Sequence, residues 1–300
     1  MTGFSSDWLA LREPFDDAAR SAAWNGIDLA AQAVGWRGGA PALRVVDLAC
    51  GSGANLRELA PRLKGAQHWT LADHDPALLA AIPQALSAWA DGAGCRLQQD
   101  AGALRLDGEG WYAEIELLAC DLATGLARVP LAAAHLVTAS ALLDLVSAAW
   151  LDNLLDACPA VPALLFALSV DGRIAWAPQD EDDACVDGLF AAHQRRDKGF
   201  GPALGPAAPA LAAQLFEARG RAVRSTRTDW LLRRGSDAPQ ETQLDAMKRA
   251  LIEGMAAAAC EADVSARTRI EAWRARRLAL VATTSLRVGH VDVLATRADA

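Results

Sequence analysis

The sequence predicts an α/β fold, built on a mostly parallel sheet with helices packed against both of its faces. From residue 43 onward, segments with the pattern of a strand alternate with segments with the pattern of a helix. That order is typical of parallel sheets, because each helix carries the chain back to the start of the next strand. The runs "VVDL" and "LLFAL" are also almost continuously apolar, as expected for strands that are covered on both faces.

Local signals support the individual elements. One helix begins at Pro76, which suits a first helical turn because its missing N–H has no partner there. Asp107-Gly108, between two alternating runs, predicts a hairpin. The N-terminal run "WLALREPFDDAAR" predicts a helix broken at Pro14, followed by a second helical segment to about Val34. Further strands are expected at 43–48, 67–72, 135–140, 163–169, 221–225 and 290–295. Further helices are expected at 54–63, 76–90, 147–157, 209–219 and 240–279, and the segment 171–210 is less regular.

Composition excludes several classes of protein. The chain has 300 residues and a formal net charge of −8, so no basic footprint for nucleic acid is present. Its most apolar stretches are short and interrupted, so we expect no membrane span, and without a signal-peptide pattern we expect a cytoplasmic protein. The six cysteines are scattered without metal-ligand spacing, and we predict no metal site. No boundary forces a second domain, so 1–300 is expected to form one domain.

The stretch "VVDLACGSGANL", residues 45 to 56, runs from a strand through a turn of small residues into a helix. A triphosphate-binding loop would need a Lys shortly after the glycines, and none is in reach. A dinucleotide loop would need a third Gly where Leu56 stands, and a Leu side chain obstructs the close packing that this Gly permits.

Three consecutive predicted strands end in an acid, at Asp47, Asp73 and Asp121. Ligands of open parallel sheets bind at the carboxyl ends of the strands, and a carboxylate about twenty residues after the glycine turn is placed to hold a ribose diol. Carboxylates at one site repel a pyrophosphate and favour a ligand that carries hydroxyls, an amine and positive charge. The expected ligand is therefore a cationic nucleoside without phosphate.

These residues resemble the class I S-adenosylmethionine-dependent methyltransferases. "VVDLACGSGANL" is similar to their first motif, "LADHDPALL" to their second, "CDLATGL" to their third, and "AHLVTASALLDLV" to their fourth strand and the loop after it. The resemblance implies a Rossmann-like, doubly wound, mostly parallel sheet of seven strands. It divides the chain into an N-terminal helical lid (1–36), a cofactor-binding half (43–170), and a part with the acceptor loop, helical insertions and last strands (171–300).

The resemblance also implies roles for individual residues in holding S-adenosylmethionine. Asp47 and the backbone of the turn would face the methionine part, Asp73 the ribose hydroxyls, and Ser140 the sulfonium. The turn residues concerned are Ala49, Gly51 and Gly53. His74, Asp121 and Leu122 would lie about the adenine, and Arg20 on the lid would reach the methionine carboxylate. The plain alternatives are a helix-capping role for Asp47, a turn acid at Asp121, and a local salt bridge for Arg20.

The acceptor is expected beside Ser140, and two residues there are catalytic candidates. Asp144 follows the fourth strand of the motif region and would hold a cationic amine or orient a hydroxyl. His193 opens the polar loop "HQRRDKGFGPALGP" (193–206). The candidates for substrate contacts are Gln194, Arg196, Lys198 and Trp176. The alternatives are an acid at a helix N-terminus for Asp144, a solvated loop, and a core Trp. The acidic run 180–184 is expected to be solvated rather than metal-binding.

The predicted reaction is methyl transfer from S-adenosylmethionine to O, N or C of a small molecule, with S-adenosylhomocysteine as product. In-line displacement on an activated methyl group needs mainly alignment and exclusion of water, so a catalytic triad is not required. We expect no nucleic-acid or membrane partner, and a monomer or homodimer. A silent S-adenosylmethionine-binding regulator or scaffold, and an NAD-dependent oxidoreductase, are the alternatives.

Overall fold

The computed structural model describes residues 5–24, 27–100, 103–235 and 241–297. Within these ranges ten strands form a single sheet. The strands are β1 (Leu43–Leu48), β2 (Gly65–Asp73), β3 (Arg96–Asp100), β4 (Ala103–Gly108), β5 (Trp111–Ala119), β6 (Leu136–Ser140), β7 (Ala163–Ala177), β8 (Arg221–Arg227), β9 (Trp230–Leu232) and β10 (Ser285–Arg297).

The α-helices found in the same ranges surround this sheet. They are α1 (Ser6–Ala23), α2 (Leu29–Arg37), α3 (Ala54–Leu63), α4 (Pro76–Ala93), α5 (Ala148–Ala157), α6 (Asp183–Gln194), α7 (Ala208–Ala218), α8 (Glu241–Ala262) and α9 (Arg267–Ala279). Among the residues described, no helix combines the length and the apolar character needed to cross a bilayer.

The strand order is β3-β4-β5-β2-β1-β6-β7-β10-β8, and β9 pairs with β10. The central strands β5, β2, β1, β6 and β7 are parallel, whereas β10 is antiparallel to β7. The predicted α/β class is therefore confirmed, and the predicted hairpin is β4–β5. The expected number of seven strands is wrong, because β3 and β4 extend one edge and the short β9 is added to β10.

Two hydrophobic clusters lie on opposite faces of the sheet, because successive side chains of a strand point to opposite sides. On β1, Val45 packs with α2, α3 and α4, while Val46 packs with α5 and α7. On the face that carries α5 and α7, however, the helical cover does not extend from β1 over β2 and β5. The chain from β5 to β6 forms two short 3-10 turns instead of a helix, so His68 and Glu114 lie half-exposed on that face, 2.9 Å apart.

The N-terminal region differs from the prediction in two ways. Helix α1 continues through Pro14 instead of breaking there. A Pro inside a helix costs about 3 kcal/mol, and here the buried side chains of Phe15 and Arg20 hold α1 against the rest of the protein. Helix α2 packs on the sheet through Leu29 and Trp36, so only α1 has the position of a lid.

A third hydrophobic cluster lies beyond the sheet, between α1, α6, α8, α9 and β9. Strands β7 and β10 reach into it because they pair with each other well past the parallel part of the sheet, and both are longer than predicted. The acidic run after β7 closes this region. Asp180 receives two hydrogen bonds from Arg276, each 2.7 Å long, and Asp183 pairs with Arg277. The expectation that this run is solvated is therefore wrong.

The carboxylate of Asp292 on β10 joins four parts of the fold. It is fully buried and accepts hydrogen bonds from Trp24 Nε1 (2.8 Å), Leu168 N (2.7 Å) and Thr228 Oγ1 (2.8 Å). The guanidinium Nε of Arg20 lies 3.7 Å from its Oδ2. Buried charges are retained only where such partners compensate for the lost hydration.

Replacing Asp292 with Ala should lower the free energy of unfolding by about 3–5 kcal/mol, because it leaves a buried cation and three donors unpaired. Urea denaturation followed by circular dichroism measures this difference. Asp156→Ala is the matched control, since the Asp156 side chain is 75% exposed and its loss should change stability little. A loss below about 1 kcal/mol for Asp292→Ala would show that the carboxylate does not hold these elements together.

Candidate functional site

The turn after β1 is shaped by three residues in the left-handed region. Their φ angles are +54° at Ala49, +54° at Gly51 and +78° at Gly53. Gly adopts this conformation without strain, whereas Ala does so at a cost, so Ala49 retains the shape of the turn expected of a Gly. Gly53 then caps α3, and the turn lies at the carboxyl edge of the sheet with the start of α3 beside it.

Asp47 and Asp73 lie at the ends of neighbouring strands, and both are buried. The carboxylate of Asp73 holds the turn: its Oδ2 accepts from Gly51 N (2.8 Å) and its Oδ1 from Asp75 N (2.9 Å). His74 Nδ1 lies 3.3 Å from the same Oδ1, with the ring more than half exposed. Each Asp73 oxygen retains a second lone pair for a ligand hydroxyl.

Asp121 follows β5, at the next strand end, but its carboxylate is exposed. It accepts from Ala123 N (2.9 Å) and Thr124 Oγ1 (3.2 Å), both within its own turn. The adjacent Leu122 is buried, and its carbonyl accepts from Trp150 Nε1 (2.8 Å). The structure thus brings Asp47 and Asp73 together as buried acids, whereas Asp121 has the geometry of a turn acid.

Asn55 is a site residue that the sequence reasoning missed. Its Nδ2 donates to Asp47 Oδ1 (2.9 Å) and Thr138 Oγ1 (3.1 Å), and its Oδ1 accepts from Arg20 Nη1 (3.0 Å). A single amide therefore joins the acid on β1 to the cation on α1. An amide among the buried residues of α3 was the available signal, because buried polar groups require partners.

Several buried polar atoms at this edge have no hydrogen-bond partner among the described residues. They are Asp47 Oδ2, Arg20 Nε and Nη2, Asp144 Oδ1, and Ser169 Oγ. Burial raises the pKa of Asp47 to about 7, although the Asn55 hydrogen bond and the Arg20 charge oppose the rise. Unpaired buried groups are costly in folded proteins, so the ones at this edge are candidates for contacts with a ligand.

Helix α1 lies across the glycine turn. A Cβ added to Gly51 would meet Leu9 Cδ1 at 3.3 Å, so the two helical turns around Leu9 and Glu13 cover the loop. Glu13 Oε1 accepts from Arg57 Nε (2.8 Å) and Nη2 (2.5 Å), and Arg57 Nη1 donates to Ser52 O (2.8 Å). Helix α1 is therefore fastened to α3 by an ion pair.

The predicted acceptor residues separate into two groups. Ser140 ends β6 and is half-buried. Gly205 N donates to the Asp144 carbonyl (3.0 Å), and Leu204 N donates to the Val146 carbonyl (2.8 Å). The end of the polar loop therefore lies beside Asp144, as the prediction requires. Burial raises the pKa of the Asp144 side chain to about 6.

The other candidates face elsewhere. His193 Nε2 lies 3.1 Å and Arg196 Nη1 3.5 Å from Glu261 Oε2 on α8, so both side chains are engaged at the junction of two helices. Trp176 is buried in the third cluster, edge-on to Trp273 and under Arg277. His193 and Arg196 therefore lie at a helix junction, and Trp176 lies in the core. Trp176 therefore has the surroundings of the alternative, a core Trp, rather than those of a substrate contact.

Gln194 and Lys198 remain candidates by position. The backbone of Gln194 is adjacent to Gly205, which is the residue that bonds to the Asp144 carbonyl. Lys198 is half-buried within the polar loop. Both therefore stay predictions as substrate contacts.

No protein-family model and no curated protein sequence matches the chain. Solved structures with a similar course of the chain include a cyclopropane-fatty-acyl-phospholipid synthase-like protein from Lactobacillus casei, with 14% identity, a TM-score of 0.49, and 98% of this chain and 94% of that chain covered. A SAM-dependent methyltransferase from Geobacter sulfurreducens, in complex with S-adenosyl-L-homocysteine, has 15% identity and a TM-score of 0.40, and the match covers 95% of this chain and 98% of that chain. A cyclopropane synthase from Mycobacterium tuberculosis has 11% identity and a TM-score of 0.45, and the match covers 96% of this chain and 94% of that chain. These scores are too low for the likeness to bear on activity.

The ion pair that fastens α1 is testable by itself. Glu13→Gln removes the charge on one partner, so hydrogen exchange of amides in residues 8–20 should become roughly tenfold faster, equivalent to about 1.4 kcal/mol. Mass spectrometry with peptide resolution measures the exchange. Asp7→Asn makes the same charge change on an exposed part of α1 and should leave exchange near the wild-type rate. Equal rates in the two variants would mean that Glu13 does not hold the lid.

Proposed function

We propose that this protein binds S-adenosylmethionine at the carboxyl edge of the sheet and transfers its methyl group to a small molecule. The observation that carries the proposal is the set Asp47–Asn55–Arg20. One amide links a buried carboxylate and a buried guanidinium, and each of these groups retains unpaired atoms. The ammonium and carboxylate of an α-amino acid are complementary to such a pair.

The rest of the turn favours a nucleoside over a dinucleotide. Leu56 is fully buried in the first core cluster, at the position where a dinucleotide loop needs Gly for close helix–strand packing. Two buried carboxylates, Asp47 and Asp73, would also repel a diphosphate. An NAD-dependent oxidoreductase is therefore the weaker hypothesis.

Each part of the cofactor has candidate partners in this chain. Asp47 would hold the ammonium, Arg20 the carboxylate, and Asp73 the ribose hydroxyls. The backbone of Ala49, Gly51 and Gly53 would face the methionine part, and Ser140 the sulfonium. From the resemblance alone, His74, Leu122 and Asp121 stay proposed neighbours of the adenine.

The bound cofactor supplies a methyl group activated by the sulfonium. The protein then has to orient the acceptor in line with that methyl group and keep water out. Helix α1 is suited to exclude water, because it covers the turn and carries the buried Arg20. A silent cofactor-binding regulator is the second candidate, favoured by the closed position of Leu9 over Gly51.

Isothermal titration calorimetry with S-adenosylmethionine, S-adenosylhomocysteine and NADH tests the binding. We expect the first two to bind and NADH not to bind. Binding of NADH alone would overturn the proposal. Cofactor binding without methylated product from any acceptor offered would support the regulator instead.

The ammonium contact makes a specific prediction about pH. Because the pKa of Asp47 is raised to about 7, the carboxyl is largely protonated at pH 6 and ionised at pH 8. The dissociation constant for S-adenosylmethionine should therefore be roughly tenfold lower at pH 8 than at pH 6. Without cofactor, the raised pKa of Asp47 means that the folded protein holds the proton more tightly than the unfolded chain does. The free energy of unfolding therefore falls as the pH rises from about 4 to about 7.

Asp47→Asn should weaken binding at pH 8 and remove most of this pH dependence. Asp156→Asn, at an exposed acid of α5, is the control and should keep the wild-type profile. An Asp47→Asn protein that retains the full pH dependence would contradict the assignment of the ammonium to Asp47.

A further inference from the structure

A second set of polar and aromatic side chains lies over β6 and β7, next to the proposed cofactor site. Ser140, at the end of β6, pairs with Ala167 on β7. Three residues further along β7, Val170 pairs with His290 on β10. The part of β10 that carries His290 therefore lies beyond the carboxyl end of β6.

The cation in this region is already paired. Arg12 Nε donates to Asp16 Oδ2 (2.8 Å) and Arg12 Nη2 to Asp16 Oδ1 (3.3 Å), and Trp230 Nε1 donates to the same Oδ1 (2.8 Å). The guanidinium carbon of Arg12 also lies 5.2 Å from the ring centroid of Trp230. The positive charge of Arg12 is thus compensated within its own cluster.

His290 adds no second cation. It is buried against Trp230, with ring centroids 4.4 Å apart. Burial, aided by the charge of Arg12, lowers its pKa to about 3, so the ring is neutral. Its Nδ1 lies 3.1 Å from the Val288 carbonyl, which can only accept, so Nδ1 carries the proton.

Asp144 is the one acid at this edge whose buried oxygen lacks both a donor and a dedicated cation among the described residues. Its Oδ1 has no hydrogen-bond partner among the described residues. Burial raises the pKa of Asp144 more than its own backbone N–H and the charge of Arg12 lower it, and Arg12 is itself bound to Asp16. Ser140, which ends β6, lies four residues earlier in the sequence, and a turn separates the two. An ionised, buried carboxylate oxygen without a donor is unfavourable unless a ligand supplies one.

We propose that the methyl acceptor is a small amine, bound as its ammonium ion to Asp144. The inference rests on the proposed function and specifies its substrate class. A hydroxyl would supply a donor without the compensating positive charge, and a carboxylate would be repelled.

The same contact provides the proton transfer that an ammonium ion needs before it can react. The N–H bond breaks and its proton moves to Asp144, which leaves a lone pair on nitrogen. That pair forms the new N–C bond as the C–S bond of the sulfonium breaks. The electrons of the C–S bond remain on sulfur, so the products are a methylated ammonium ion and neutral S-adenosylhomocysteine.

The experiment measures S-adenosylhomocysteine release with matched probes on three skeletons: butyl, 2-phenylethyl and 2-(indol-3-yl)ethyl. Each skeleton is offered as the amine, the alcohol and the carboxylic acid. We expect turnover with one or more of the amines and none with the alcohols and acids. Turnover of an alcohol or acid in preference to its amine overturns the inference, as does the failure of all three amines.

Calorimetry with S-adenosylmethionine on the same preparation separates the two proposals. Loss of cofactor binding would refute the proposed function, whereas intact binding without amine turnover would refute only the substrate class. Asp144→Asn should reduce amine turnover at least about 100-fold while the cofactor dissociation constant changes less than about twofold. Asp156→Asn is the exposed control.

A stability measurement guards against a misfolded variant. The raised pKa of Asp144 means that ionisation lowers stability between about pH 4 and pH 6. Asp144→Asn should therefore have a Tm at pH 8 equal to or above that of the wild type. A folded Asp144→Asn protein that keeps full amine turnover would show that Asp144 does not bind the acceptor.

Discussion

The buried guanidinium of Arg20 is the constraint on which the arrangement of this protein depends. A guanidinium cannot release its proton, so it must be compensated wherever it is buried. Here the compensation comes from Asn55 on α3 and from Asp292 on β10. Helix α1 is therefore held to one helix and one strand that are far apart in sequence, and its position over the glycine turn follows from that attachment.

The same attachment concentrates polar atoms where hydrophobic packing would be more stable. Asp47, Asn55 and Asp73 are all buried at the carboxyl edge, and Asp47 has a raised pKa because its carboxylate is poorly compensated. Proteins accept such local costs at sites that bind ligands, since the ligand supplies the missing partners. The closed lid and the incompletely paired acids are two aspects of one arrangement.

Much of the fold could be predicted because its signals are local. Helix α3 was expected at 54–63 and lies there, since Gly53 can adopt the left-handed conformation that begins it. The hairpin was expected around residues 107–110, and its turn is Glu109-Gly110, where Gly110 has a φ of +74°. The helix that starts at Pro76 was also predicted from a local signal. Pro14 was misjudged, because the local penalty was weighed without the buried side chains that offset it. The partner of His193 could not be predicted, because a polar loop does not reveal that Glu261, 68 residues later, faces it.

By itself, the sequence determined the class of the fold, the shape of the glycine turn, and the acids at the strand ends. These features depend on residue periodicity and on backbone conformations that few residues adopt. Only the tertiary structure decided which of those acids are buried, that Asn55 joins Asp47 to Arg20, and that Asp292 receives Trp24 from 268 residues away. The physical reason is that the compensation of a buried charge is a long-range property. It depends on which groups the folded chain brings within hydrogen-bond distance, and no local pattern of residues encodes that distance.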